Sequence, residues 1–384
     1  MFSLTFSRRG GSIQSLCSTK RRLSSAAAAI AVPSRHILHH ASENKVAGAA
    51  TPVDMPASQT SPRPHSRGQS ATRTRMESVR RQLRDSAKSP SFYEAVAQIM
   101  KIREQYIKER SVFVRGQDML PILLGLGASH EDIMTLPSTS DNLESDPSIP
   151  FRTSVNSRFC FDWDTKSMRR IENQPFMLSE DEDFERFDSG KIRNFDEVKA
   201  DLGLNSAFLA VLIFKAMMVN GIDVARRTNL NYDVNKWVCI AFSVRTHTTP
   251  DLLGEPALEG VHSDGADHTL VTFLGSKNMA SNSAATFLHS MDEVTGISLR
   301  ESSPLKIVGR NRHSAFLDTM MIVDHERKHS LTAVYAEDKT ALATRDVLIF
   351  FTRRPYLKTH PAASLDSLKP HATLGVEVPL LDLS

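Results

Sequence analysis

Apolar residues recur at two different periods along this chain, and the change from one to the other falls near Pro150. Before it, Phe92, Val96, Ile99, Met100 and Ile107 keep helical spacing, which predicts an amphipathic helix opened by Ser89-Pro90 and closed by Arg110. Residues 118–126 and 129–136 read as two further short helices, the second begun by the capping-box-like Ser129-x-x-Asp132. After Pro150 the chain turns to short β-like runs at 159–163, 237–245, 268–274, 284–289, 305–308, 315–323, 329–336 and 345–352. One stretch breaks that texture: residues 202–219 are apolar at helical spacing and predict a helix buried against a sheet. The expected fold is mainly β with α, a jelly roll preceded by a helical N-terminal lobe.

The ends of the chain read differently. Residues 1–42 carry six basic side chains and no acid, with Phe2, Leu4, Phe6, Ile13 and Leu16 between them, which predicts an organellar presequence, mitochondrial matrix before plastid, with a disordered basic tail on a cytoplasmic protein as the remaining alternative. Residues 43–75 are rich in Pro, Ser, Thr and Ala and predict an unstructured linker. Structure is expected from Met76, with the helical lobe over 76–149, the β core over 150–357 and a tail over 358–384.

Charge and cysteines narrow the classes. The formal charge of +3 depends on the basic leader; without its six cations the remaining 41 basic and 44 acidic side chains give −3. Such a body lacks the basic surface that counterion release from nucleic acid requires. The three cysteines, Cys17, Cys160 and Cys239, have no C-x-x-C spacing and predict neither a disulfide framework nor a structural zinc module. No apolar run is long enough for a membrane span, since residues 208–219 are too few and include Lys215.

The chemistry concentrates in Glu255 to Gly265, which ends in His262-Ser263-Asp264. On a strand, side chains two apart share a face, so this imidazole and carboxylate converge. One more histidine completes the facial triad of two His and one carboxylate that holds non-haem Fe(II). His329 is the first candidate, because it begins an alternating run with Leu331 and Ala333; His325, in a charged turn of the same parity, is the rival. Arg345 opens an otherwise apolar strand, where it would grip the far carboxylate of a dicarboxylic cosubstrate or else pair with Asp318 or Asp346. Glu259 could meet a substrate amino group or be a solvated loop acid, and Arg245 is a candidate for a substrate carboxylate. His268 is expected to face the barrel near the site, and His247, His289, His313, His360 and His371 to lie in loops or on the surface.

The run P-A-L-E-G-V-H-S-D-G at 256–265, the segment D-H-E-R-K-H-S-L-T at 324–332 and R-D-V-L at 345–348 resemble the iron- and 2-oxoglutarate-dependent dioxygenases that include bacterial L-isoleucine 4-hydroxylase. F-V-R-G-Q-D-M-L at 113–120 and Q-P-F at 174–176 extend the likeness more faintly, so it covers most of 110–355. The resemblance implies a double-stranded β-helix, with Fe(II) on His262, Asp264 and His329 and 2-oxoglutarate on Arg345. It also implies O2 as cosubstrate, succinate and CO2 as coproducts, and a free amino acid or similar small molecule as the substrate hydroxylated. Two positions depart from the family: Ser281-Asn282 replaces a Gly-Gly pair, and Val347 stands where related oxygenases carry Ser or Thr two residues after the arginine. A jelly-roll binding protein without turnover and a zinc hydrolase are the alternatives from other classes.

Overall fold

The computed structural model describes residues 65–179 and 188–380. The expected presequence and residues 43–64 of the expected linker lie outside the described residues. The rest of that linker is not unstructured, because the first helix, α1, spans His65–Ser86. Its composition is strongly polar, yet Met76, Val79 and Leu83 recur every three or four residues and reach the main core. Gln82 Nε2 donates to Gly127 O at 2.7 Å and Arg75 Nη2 to Asp132 Oδ1 at 2.6 Å, so tertiary contacts hold a helix that its own sequence advertises weakly.

Helix α2, Pro90–Glu109, starts where Ser89 Oγ accepts from Phe92 N at 3.2 Å and ends at Arg110, whose φ of 59° is left-handed. A short strand, β1 (Ser111–Val114), follows, then α3 (Gly116–Gly125) and α4 (His130–Thr135). The β core contributes β2 (Arg152–Asp162), β3 (Ser167–Ile171), β4 (Asp196–Glu197), β5 (Lys236–Thr248), β6 (His268–Lys277), β7 (Ala285–His289), β8 (Ile307–Arg312), β9 (Thr319–Val323), β10 (Lys328–Leu331), β11 (Ala343–Arg353) and β12 (Glu377–Pro379). Between β4 and β5 lie α5 (Ala200–Gly203) and α6 (Ser206–Val219). The helix expected over 202–219 is interrupted at Asn205, whose side chain caps α6 by accepting from Ala207 N and Phe208 N.

The strands form a nine-stranded sheet in the order β1-β9-β6-β11-β5-β2-β3-β12, with β4 beside β2, and a three-stranded sheet in the order β10-β7-β8. This is the jelly-roll arrangement expected from the strand spacing. Strand alternation divides the large sheet into two faces. On β11, Leu348 and Phe350 turn to the helices, and Phe350 stacks on Phe208 of α6 at 5.9 Å. Arg345, Val347, Ile349 and Phe351 turn the other way, toward an interior shared with the small sheet. All fourteen residues of α6 are buried, Lys215 included, and each large side chain there contributes roughly 1.5–3 kcal/mol of burial.

The same parity corrects His268. It belongs to the helix face, with Nδ1 2.8 Å from Tyr106 Oη and its carbonyl accepting from Lys215 Nζ at 3.0 Å, whereas Thr269 and Val271 face the cavity. His289, His313 and His360 are buried rather than superficial. The tail joins the fold: Asp366 accepts from Arg158 and Arg353, and β12 adds to β3. Among the described residues no helix is long and apolar enough to cross a membrane.

Candidate metal centre

His262 and Asp264 do not lie on a regular strand. His262 makes a single antiparallel bridge with His329 of β10, each backbone N–H donating to the other's carbonyl at 2.9 Å. That pairing places the two imidazoles side by side, their centroids 4.3 Å apart and their planes tilted by 49°. Asp264 reaches them from an irregular loop shaped by Asp324. One Asp324 carboxylate oxygen accepts from Asp264 N at 2.9 Å and the other from Ala266 N at 3.2 Å, while Ser263 Oγ donates to Asp324 O. The convergence expected from strand parity is therefore built by a carboxylate clamp.

The three side chains offer one ligand atom each, all within 4.8 Å of one another. Asp264 Oδ1 is 3.4 Å from His262 Nε2 and Oδ2 is 3.6 Å from His329 Nε2. His262 Nδ1 donates to Gly260 O at 2.9 Å, so Nε2 is the nitrogen a metal would take, displacing the proton held there in the metal-free ring. Burial acts to lower the His262 pKa, but the charges of Glu259 and Asp264 overcome it and raise it to about 9. Burial would raise Asp264, and the two imidazoles instead bring it down to about 2. Burial dominates at His329, lowering it to about 4. Two imidazoles and one carboxylate on one side of a small volume suit Fe(II) and leave coordination positions open. His325 sits in the turn after β9 and is not part of this group.

A cavity of about 120 Å³ opens onto the three residues, and Arg345 lines it. Arg345 is 3% exposed, and its Nε and Nη2 have no hydrogen-bond partner. Neither expected structural partner is used: Asp346 pairs with Arg245, and Asp318 accepts from the backbone amides of Gly116, Ser314 and Ala315. Burial lowers the Arg345 pKa to about 10 against the nearby Asp346 charge, which raises it without a hydrogen bond, so the guanidinium remains a cation. An unpaired buried guanidinium is costly, and an anionic carboxylate is the ligand that removes the cost. The donor set thus fits both iron and a dicarboxylic 2-oxo acid.

Of the two residues expected to touch substrate, Glu259 lines the cavity and Arg245 does not. Arg245 lies directly opposite Asp346 across β5 and β11, on the face away from Phe242 and Val244, and binds Asp346 at 2.7 Å and Asp141 at 3.0 Å. Two arginines that the sequence did not single out line the cavity instead. Arg152 of β2 is paired with Asp146 at 2.7 Å, and Arg193 lies 4.9 Å from the centroid of Phe176. Phe176, Phe195, Phe242 and Phe351 form an aromatic wall beside them. Strand parity with Val244 marks Arg152, since it pairs with Thr246 on that same face; nothing local marks Arg193.

Comparison with known proteins agrees with this geometry. A family profile described as 2OG-Fe dioxygenase matches residues 138–351. The bifunctional enzyme flvA of Aspergillus flavus is 44% identical over 289 residues, covering 75% of this chain but only 35% of that protein, so the chain spans about a third of its length. The solved structure of the Fe(II)/(alpha)ketoglutarate-dependent dioxygenase TqaL is 49% identical, with a TM-score of 0.66 over 76% of this chain and 98% of that one. IDO from Bacillus thuringiensis, at 14% identity and a TM-score of 0.50 over 67% of this chain and 95% of that one, shares the fold.

Proposed function

The chain belongs to the 2OG-Fe dioxygenase family, a class of iron(II)- and 2-oxoglutarate-dependent enzymes, and from that premise we propose that it hydroxylates a free amino acid with an apolar side chain. The observation that carries the reading is the pairing of His262, Asp264 and His329 with an unpartnered Arg345 in one cavity. His262, Asp264 and His329 would hold the iron, and Arg345 the far carboxylate of 2-oxoglutarate. When bound, iron and 2-oxoglutarate supply an oxidation in which O2 is split between succinate, with loss of CO2, and a C–H bond of the substrate. The zinc-hydrolase alternative leaves Arg345 without a role.

The residues of the chain orient the substrate. Glu259 would present a carboxylate to the substrate ammonium, a role supported by its position in the cavity lining and by its charge acting on His262. Arg152 and Arg193 take over the part expected of Arg245 and meet the substrate carboxylate. The aromatic wall receives an apolar side chain and keeps water from the reacting carbon. The bacterial L-isoleucine hydroxylase likeness is consistent with this substrate class.

The test is succinate formation by the iron-loaded protein across the free amino acids, with mass analysis for addition of one oxygen. Aliphatic amino acids should stimulate succinate release above the rate without substrate, and charged ones should not. No stimulation by any amino acid, in protein that binds iron and 2-oxoglutarate, would remove the substrate assignment.

A further inference from the structure

His313 is a buried histidine that neither the iron nor the substrate reading uses. It is 1% exposed and lines the same cavity as Arg345. Its ring stands between Phe113, at 5.3 Å between centroids, and Phe273, at 6.4 Å, which fixes its plane. Nε2 lies 3.3 Å from Val271 O. A carbonyl oxygen only accepts, so Nε2 carries the ring hydrogen and Nδ1 holds a lone pair. Nδ1 is buried and has no hydrogen-bond partner, as is true of Arg345 Nε and Nη2. Thr269 Oγ1, Thr286 Oγ1 and His329 Nδ1 in the same lining also lack partners, but His313 and Arg345 are the pair in which the charge of one acts on the other. Each costs free energy until a ligand meets it.

The nearby groups exclude an internal partner. Asp318, the carboxylate on that side, is occupied by three backbone amides, and the elements packed on the ring otherwise present Phe113, Phe273 and Val271 O. The residue two after Arg345 is Val347, buried among apolar side chains, so no hydroxyl helps the arginine from that position. The Thr269 hydroxyl lines the cavity on the Asp264 side, where it lowers the Asp264 pKa. Burial, reinforced by the charge of Arg345, keeps the ring neutral in the unliganded protein.

We propose that His313 is the second contact to the far carboxylate of the cosubstrate, donating from Nδ1 beside the Arg345 guanidinium. The proposal rests on the 2-oxoglutarate reading above. Burial is the larger cause that disfavours an imidazolium and the Arg345 charge the second. The entering carboxylate offsets both, by neutralising Arg345 and by accepting a charge-assisted hydrogen bond, and His313 takes one proton from solvent at Nδ1 while Nε2 keeps Val271 O. The ring thereby replaces the missing hydroxyl with a charge-assisted donor.

The experiment compares 2-oxoglutarate with 2-oxopentanoate, which has the same five-carbon 2-oxo acid chain with a methyl group in place of the far carboxylate. Binding of each is measured calorimetrically to the iron(II)-loaded full chain without oxygen. His313→Phe, close to isosteric, should cut the preference for 2-oxoglutarate about tenfold, the loss of one hydrogen bond to a charged group. Its affinity for 2-oxopentanoate should stay within about twofold. His313→Asn, whose amide can place a donor near Nδ1, should keep most of the preference. In the wild type the preference should grow as pH falls from about 8 to 6, because a proton is bound with the anion, and in His313→Asn it should not. Equal loss of both acids in His313→Phe, no loss of either, or a preference with the same pH dependence in wild type and His313→Asn would overturn the assignment. Failure of the wild type to bind 2-oxoglutarate would instead overturn the proposed function.

Discussion

Arg245 and Arg345 occupy neighbouring rungs of the β5–β11 ladder, one opposite Asp346 and the other opposite Thr246. They share chemistry and lie close together, and their environments are opposite. Arg245 is partly exposed and bidentate on Asp346, with its pKa driven up by that carboxylate. Arg345 points into the cavity without a partner, and burial drives its pKa down. One arginine is satisfied by the fold, and the other is left for something the fold does not contain. Strand alternation alone decides which is which, since a shift of one residue exchanges the faces.

The largest break of that contrast lies at the metal. Asp264→Ala removes the carboxylate between the two imidazoles, and iron(II) affinity in an anaerobic titration should fall by more than the ~100-fold that loss of an outer-shell partner can cause. The metal-free fold should stay folded with a Tm lowered by a few degrees, because the Asp324 clamp that shapes the loop is kept but the attraction between Asp264 and the two imidazoles is lost. Retained iron binding would place the metal elsewhere.

Arg345→Met comes next and acts on the contrast directly. Losing the charged partner of a buried carboxylate should weaken 2-oxoglutarate by about 2–4 kcal/mol, roughly 30- to 1000-fold, with iron affinity preserved. The unliganded protein should be more stable than wild type, because an unpaired buried cation is replaced by an apolar side chain. A lower Tm for the unliganded variant would show that Arg345 has a structural partner in solution.

Asp324→Asn tests the clamp. Asp324 meets two backbone N–H groups with two carboxylate oxygens, and an amide can accept from only one of them. Iron affinity should drop by about 10- to 100-fold, the range for partners that orient a ligand, while 2-oxoglutarate affinity of the iron-saturated protein changes little. A loss of cosubstrate binding as large as that of iron would mean that the loop supports the whole cavity.

These residues also show what could be read in advance. His262, Asp264, His329 and Arg345 were legible because their signals are local: a spacing of two, an imidazole opening an alternating run and a charge at the head of an apolar strand. Asp324 stood in view beside His325, yet its role depends on meeting residues 264–266 across some sixty positions, and no periodicity encodes that contact. His313 looked like a loop residue because the turn between β8 and β9 folds inward over Phe273. Helix α1 was hidden by its arginines and polar residues, since three apolar positions suffice when Gln82 and Arg75 dock the rest. Arg245 and His268 were misplaced although their parity was readable. Had Phe242 and Val244 been assigned to the cavity, Arg245 could not have joined them.

The smallest expected effect belongs to Arg245→Met. It leaves the buried Asp346 of β11 without its cation, although solvent at the partly exposed Arg245 position screens part of the loss, so about 1–2 kcal/mol of stability is expected, a Tm lower by a few degrees. The affinities for iron and 2-oxoglutarate should stay within about twofold, since Arg245 faces away from the cavity. Arg345→Met therefore raises stability and abolishes tight cosubstrate binding, whereas Arg245→Met lowers stability and spares it. Thermal melts and 2-oxoglutarate titrations on the two variants measure both signs. A weakened cosubstrate site in Arg245→Met would mean that Asp346, freed from Arg245, pulls on β11 strongly enough to move Arg345, and the two faces of the ladder would then be coupled through one strand.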